Sequence, residues 1–141
     1  MTPGTILHDS QFLCHDKTEN NKLLVVLNDG SAGVYILVKT TSEPKKKDSS
    51  PGCHPKDYFR NFHIPKGQAG FRKNTWVMLN EFYEADCNEL FKRKLAGHLA
   101  PKGTLPEDVF KSLLICAKDS VDISQTQEMI LDDTLNALIL F

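Results

Sequence analysis

KLLVVLNDGSAGVYILVKTTS, residues 22–42, holds the two most apolar runs of the chain, LLVVL and VYILV. Both are rich in β-branched and aromatic side chains, which fit a pleated surface better than a helix. Between them lies NDGSAG, in which Gly supplies positive φ and Asn and Asp tolerate it. The pattern predicts a hairpin of two buried strands with a loop slightly longer than the tightest kind. Lys22 enters the first strand, and Thr40, Thr41 and Ser42 leave the second. In an antiparallel pair the start of one strand lies beside the end of the other, so Lys22 and Thr41 are expected to be neighbours.

The 141 residues suit a single domain with a core of its own. Hydrophobic residues make up 40% and charged residues 25%, as in ordinary globular proteins. The net charge of −1 excludes a strongly basic protein that coats nucleic acid, while leaving room for a local basic face. No segment reaches the ~18–20 apolar residues of a membrane span. MTPGTILHDSQ lacks a basic stretch followed by an apolar one, so no signal peptide is expected and the compartment expected is the cytoplasm. Cys14, Cys53, Cys87 and Cys116 never form CxxC, which in a reducing compartment points to free thiols. The pairs Cys14-His15 and Cys53-His54 raise a Cys2His2 zinc site as an alternative, but zinc ligands are usually spaced by two or more residues. Neither a metal nor another cofactor is expected.

Around the hairpin, Thr5-Ile6-Leu7 reads as an opening strand and residues 16–21 as a polar loop. Residues 43–57, with three prolines and Lys45-Lys46-Lys47, read as a mobile basic loop. Residues 58–64 and 75–79 read as strands, with Tyr58, Phe59, Phe62 and Trp76 assigned to the core, the alternative being a Trp or Tyr on the barrel face that stacks a base. The chain then changes character. Asp86 is an N-cap for a short helix whose apolar positions are Cys87, Leu90, Phe91 and Leu95, and Gly97 is its stop. Leu105-Pro106 opens a second helix through about Ser120, and residues 121–141 form a C-terminal extension with a further helix and an apolar tail. Strands followed by helices indicate an α+β fold, mainly β and antiparallel, with C-terminal helices.

Taken in order, PGTI, KLLVVLN, VYILVKTTS, GFRKNTWVMLNEF, ADCNELFKRKLAGHL and LPEDVFKSLLICA resemble the MazF/PemK family of type II toxin–antitoxin toxins over roughly residues 3–120. The resemblance implies a small SH3-like antiparallel barrel, a homodimer, a cognate antitoxin protein as partner and metal-independent cleavage of single-stranded RNA. It places the family's catalytic pair at Lys22 and Thr41, with Lys standing where the family usually has Arg. Tyr83 stands where a second family Arg is often found.

Metal-free RNA cleavage needs a base for the 2′-hydroxyl, an acid for the leaving 5′-oxygen and a cation for the crowded phosphate. Lys22 supplies charge without the bidentate grip of Arg. Thr40, Thr41 and Ser42 offer hydroxyls to the phosphate, and Lys45, Lys46 and Lys47 offer further cations. His63, His15 or His54 is needed for acid–base work near neutral pH. The substrate-binding set is therefore Thr40, Ser42, Lys45, Lys46, Lys47, His63 and Tyr83, beside the catalytic pair. Each residue also has a plainer role as a solvated lysine, a β-forming threonine or a core aromatic. The alternative function is a catalytically degenerate barrel that binds nucleic acid or a protein partner without cutting.

Overall fold

The computed structural model describes residues 1–139. Eight strands form an antiparallel sheet ordered β4-β5-β6-β3-β2-β1-β8, with β7 also paired to β3. In chain order the elements are β1 (Thr5–Leu13), β2 (Glu19–Val26), β3 (Val34–Thr41), β4 (Gly52–His54), β5 (Asn61–Ile64), β6 (Thr75–Met78), β7 (Tyr83–Asp86), α1 (Cys87–Leu95), β8 (Leu99–Thr104), α2 (Glu107–Lys118) and α3 (Gln125–Ile139). The fold is α+β, as expected. Among the described residues no helix is long and apolar enough to cross a membrane.

The continuous apolar runs are explained by burial on both faces of the sheet. Val25, Leu27, Ile36 and Val38 point into one cluster, which α2 and α3 close with Phe110, Leu113, Leu114 and Leu131. Leu24, Val26 and Leu37 point the other way, into a second cluster with Leu7, Tyr83 and, from α1, Leu90. Of the positions expected in the core, Leu24, Val26, Ile36, Val38, Trp76, Val77 and Leu79 are buried. The hairpin loop is held by the buried Asn28, whose amide donates to the Val34 carbonyl and accepts from the Ile36 N–H.

β3 exchanges partners along one edge. It pairs with β7 over Val34–Leu37 and with β6 at Thr40 and Thr41. β1 and β8 carry a register shift that leaves Lys102 as the extra residue, because Ile6 faces Gly103 and Leu7 faces Pro101. Such a bulge re-aims the side chain it carries.

The helices obey their end signals. The Asp86 carboxylate accepts from the Asn88 and Glu89 N–H groups. Gly97, at φ +86°, and His98 close α1 with bonds to the Lys94 and Arg93 carbonyls. α3 is opened by reciprocal bonds between Ser124 and Gln127.

Several expectations are corrected. Cys53 and Cys116 form a disulfide between β4 and α2, whereas Cys14 and Cys87 are free. The partners are 63 residues apart, so only the fold brings them together. With Cys53 so bonded, the two Cys-His pairs cannot supply a Cys2His2 set. Residues 52–54, read as loop, form the edge strand β4. The strand expected over 58–64 begins only at Asn61, and Tyr58 and Phe59 are exposed rather than core. On α1 only Leu90 is buried, while Phe91 and Leu95 face outward. The apolar tail expectation at Leu140 and Phe141 lies outside the described residues.

Candidate functional site

The β2–β3 ladder is paired at Leu24 and Lys39, and the same register carried two residues further sets Lys22 opposite Thr41. Beyond the ladder, the Thr40 hydroxyl takes over the bonding and donates to the Leu23 carbonyl at 2.8 Å. Lys22, Thr40, Thr41 and Ser42 line one cavity of about 690 Å³. Its other walls are the β5–β6 connection, with Arg72 and Lys73, and the bulged Lys102 of β8.

The cavity is strongly one-signed. Lys22, Arg72, Lys73 and Lys102 line it, and among the described residues no carboxylate does. None of the four makes an ion pair among the described residues. Asp9 is the cross-strand partner of Lys22, but its buried carboxylate pairs through Oδ1 with Arg93 of α1 at 2.6 Å, while Oδ2 has no partner among the described residues. The Lys22 charge is thus left for a ligand.

The loop that carries Arg72 and Lys73 is built rather than loose. Phe71 plugs into the larger core cluster between Gly70 and Arg72. Bonds from Gly67 N–H to the Phe71 carbonyl and from Lys66 N–H to the Asn74 side chain close the loop on both sides. The Thr41 hydroxyl accepts from the Glu43 N–H at 3.1 Å, which leaves its own proton to donate. Hydroxyls, ammonium groups and a guanidinium around an acid-free hollow make a site for phosphate oxygens.

A second hollow of about 430 Å³ adjoins the first, and Lys22 borders both. It holds His15, whose Nδ1 lies 3.1 Å from the Glu81 carboxylate. Glu81 also accepts from the Tyr83 hydroxyl at 2.5 Å and from Lys39 at 3.3 Å. Burial works to raise the Glu81 pKa, but Tyr83, Lys39 and His15 together hold it below the usual carboxylate value. Burial, and then the bond to Glu81, hold the Tyr83 phenol well above its ordinary value. The His15 ring lies 4.1 Å from that of Tyr83. The imidazole is therefore held by a carboxylate on one nitrogen and a ring on one face.

The expected site residues thus divide. Lys22, Thr40, Thr41 and Ser42 come together. Tyr83 does not line their cavity. It is buried and supports His15 instead. His63 is buried elsewhere, stacked on Trp76 at 4.5 Å with Nδ1 against the Thr75 carbonyl. Lys45 and Lys46 are exposed and Lys47 is half-buried, outside the cavity lining. Sequence reasoning did not single out Arg72, Lys73, Lys102 or Glu81. The signal for the first two was the basic RK after GF, and for Lys102 there was none.

No protein-family model matches the sequence. No curated protein is significantly similar to it.

Proposed function

We propose that this chain is a MazF/PemK-like toxin of a type II toxin–antitoxin system, a metal-independent endoribonuclease acting on single-stranded RNA. One observation carries the reading. A protein of net charge −1 concentrates four cations and, among the described residues, no carboxylate around the cavity that Lys22 and Thr41 both line. On this reading the sheet is an SH3-like barrel, the protein works as a homodimer, and an antitoxin covers the site. Outward-facing Phe91 and Leu95 on α1 and Ile115 on α2 offer apolar area for such contacts.

Lys22 would neutralise the phosphate as charge builds on it, with Thr41 donating to a non-bridging oxygen. His15, oriented by Glu81, would take the 2′-hydroxyl proton or return one to the leaving 5′-oxygen. The 2′-oxygen bonds to phosphorus as the bond to the 5′-oxygen breaks, leaving a cyclic phosphate and a free 5′-hydroxyl.

The test is incubation of purified protein with mixed RNA in EDTA. Fragments with cyclic phosphate ends, lost in Lys22→Ala, support the reading. Intact RNA with wild type and with Lys22→Arg refutes it. A second reading, a barrel that grips strands without cutting, is favoured by the absence of any histidine from the cationic cavity among the described residues.

A further inference from the structure

We propose that Lys45–Lys47 and the aromatic pair Tyr58–Phe59 form a base-stacking platform for single-stranded nucleic acid, separate from the cavity that holds the scissile phosphate. The inference deepens the proposed function and rests on it for the identity of the strand. Large aromatic side chains are usually withdrawn from water, yet Tyr58 is 71% and Phe59 47% exposed. Their rings meet edge to face at 4.6 Å, which holds each in place while leaving open ring surface. The Lys46 ammonium lies 4.6 Å from the Tyr58 ring centre.

This arrangement is constructed. Lys46 sits at φ +60° in the turn closed by the Lys47 N–H and the Pro44 carbonyl. That left-handed conformation is uncommon outside Gly, Asn and Asp. The Asp57 carboxylate accepts from the Asp48 N–H at 3.0 Å and from Asn61 at 2.9 Å, tying the lysine end of the segment to the aromatic end. Trp76 Nε1 donates to the Asp48 carbonyl, and the Cys53–Cys116 disulfide fastens the intervening chain to α2.

Charge complementarity selects the occupant. The segment 43–57 carries four lysines against three acids, and each acid is turned inward to hydrogen bonds within the segment. Glu43 accepts from the Lys45 N–H, Asp48 from Ser50, and Asp57 as described. Lys45 and Lys46 remain for phosphates, while Lys47 also donates to the Lys45 carbonyl at 3.0 Å, and the rings remain for bases, the combination by which single strands are held without sequence readout. The segment begins directly after Ser42, a wall of the cationic cavity, so the chain joins the two features without an intervening element.

The probe is a short 2′-O-methyl oligouridylate, which cannot be cut by 2′-hydroxyl attack, beside an abasic strand of equal length. Binding is read by fluorescence anisotropy, and stacking by quenching of a single 2-aminopurine. Tyr58→Ala with Phe59→Ala should weaken the base-bearing strand about tenfold and abolish part of the quenching, with the abasic strand unchanged. Both side chains are exposed, so the fold is retained. Lys45→Ala with Lys46→Ala should weaken both strands alike. Equal affinity of wild type and the aromatic variant for the base-bearing strand would overturn the proposal. So would dimerisation that disappears when Tyr58 and Phe59 are replaced, which would assign the patch to a second copy of the chain. Strand binding with quenching but no RNA cleavage would refute the endonuclease reading and leave the platform standing.

Discussion

If the cavity takes single-stranded RNA as proposed, salt should loosen that grip far more than the protein's net charge suggests. At −1 overall, the chain offers a polyanion no general attraction. The attraction must come from Lys22, Arg72, Lys73 and Lys102, each bordering one cavity. If each displaces one condensed counterion from a single strand, log K should fall with log salt at a slope of about −0.7 per contact, or about −2.8 in all. Between about 50 and 200 mM salt that is a loss of about fifty-fold. Lysines 45–47 would steepen the slope further when the strand reaches them. Anisotropy titrations of an uncuttable strand in EDTA at several salt concentrations measure the slope. Lys102→Ala should weaken binding and bring the slope up by about 0.7, because the bulge that aims Lys102 survives loss of the side chain. A wild-type slope shallower than about −1, or an unchanged slope in Lys102→Ala, would refute the cavity as the phosphate site.

Leu24→Ala should destabilise the protein by about 2–4 kcal/mol in urea titrations, since Leu24 is fully buried in the second cluster; a loss below about 0.5 kcal/mol would contradict that packing. Lys22→Ala and Thr41→Ala should each lower RNA cleavage by about a hundredfold without changing the melting curve, whereas Lys22→Arg should keep or raise it. Burial lowers the His63 pKa below its unfolded value of 6.5, so the unfolded chain binds that proton more readily. The stability His63 confers is thus complete above pH 6.5 and lost as pH falls through the lowered value. His63→Phe should flatten the rise in stability from acid to neutral pH relative to wild type, and an unchanged profile would contradict the shift. Cys53→Ser should lower stability by about 4 kcal/mol in the chain-entropy account of a 63-residue closure, read against wild type with and without reductant.

What could be read from the sequence was whatever is enforced over short distances. LLVVL and VYILV announce strands because each strand buries both faces, one against α2 and α3 and the other against α1. Asp86, Gly97 and Pro106 mark helix ends by local geometry. The strands that escaped reading have no such signature. β7 is YEAD and β8 is LAPKGT, with acid, Gly and Pro where β-formers are expected. They are strands because β3 and β1 offer them a ladder, and cross-strand context overrides intrinsic preference. Tyr58 and Phe59 erred in the opposite sense. Their composition suits a buried strand, but the bond from Asn61 to the Phe59 carbonyl belongs to a turn that leaves both rings outside.

The site divides along the same line. Lys22 and Thr41 could be paired from sequence because a hairpin converts position along the chain into position in space within 20 residues, and one register fixes both ends. The other cations reach the cavity by two devices with no local trace. Phe71 anchors Arg72 and Lys73 by sinking into a core assembled from five strands and two helices. Lys102 arrives through a one-residue slip in a ladder between the first strand and the last. Neutralisation of Asp9 by Arg93, which frees the Lys22 charge, likewise joins β1 to α1 across 84 residues. Without that pairing Asp9 would sit as a buried carboxylate cross-strand from Lys22 and compete with any phosphate for it. The affinity of the cavity for an anion therefore depends on α1 being docked, and a change that detaches α1 should weaken strand binding without touching a single cavity residue.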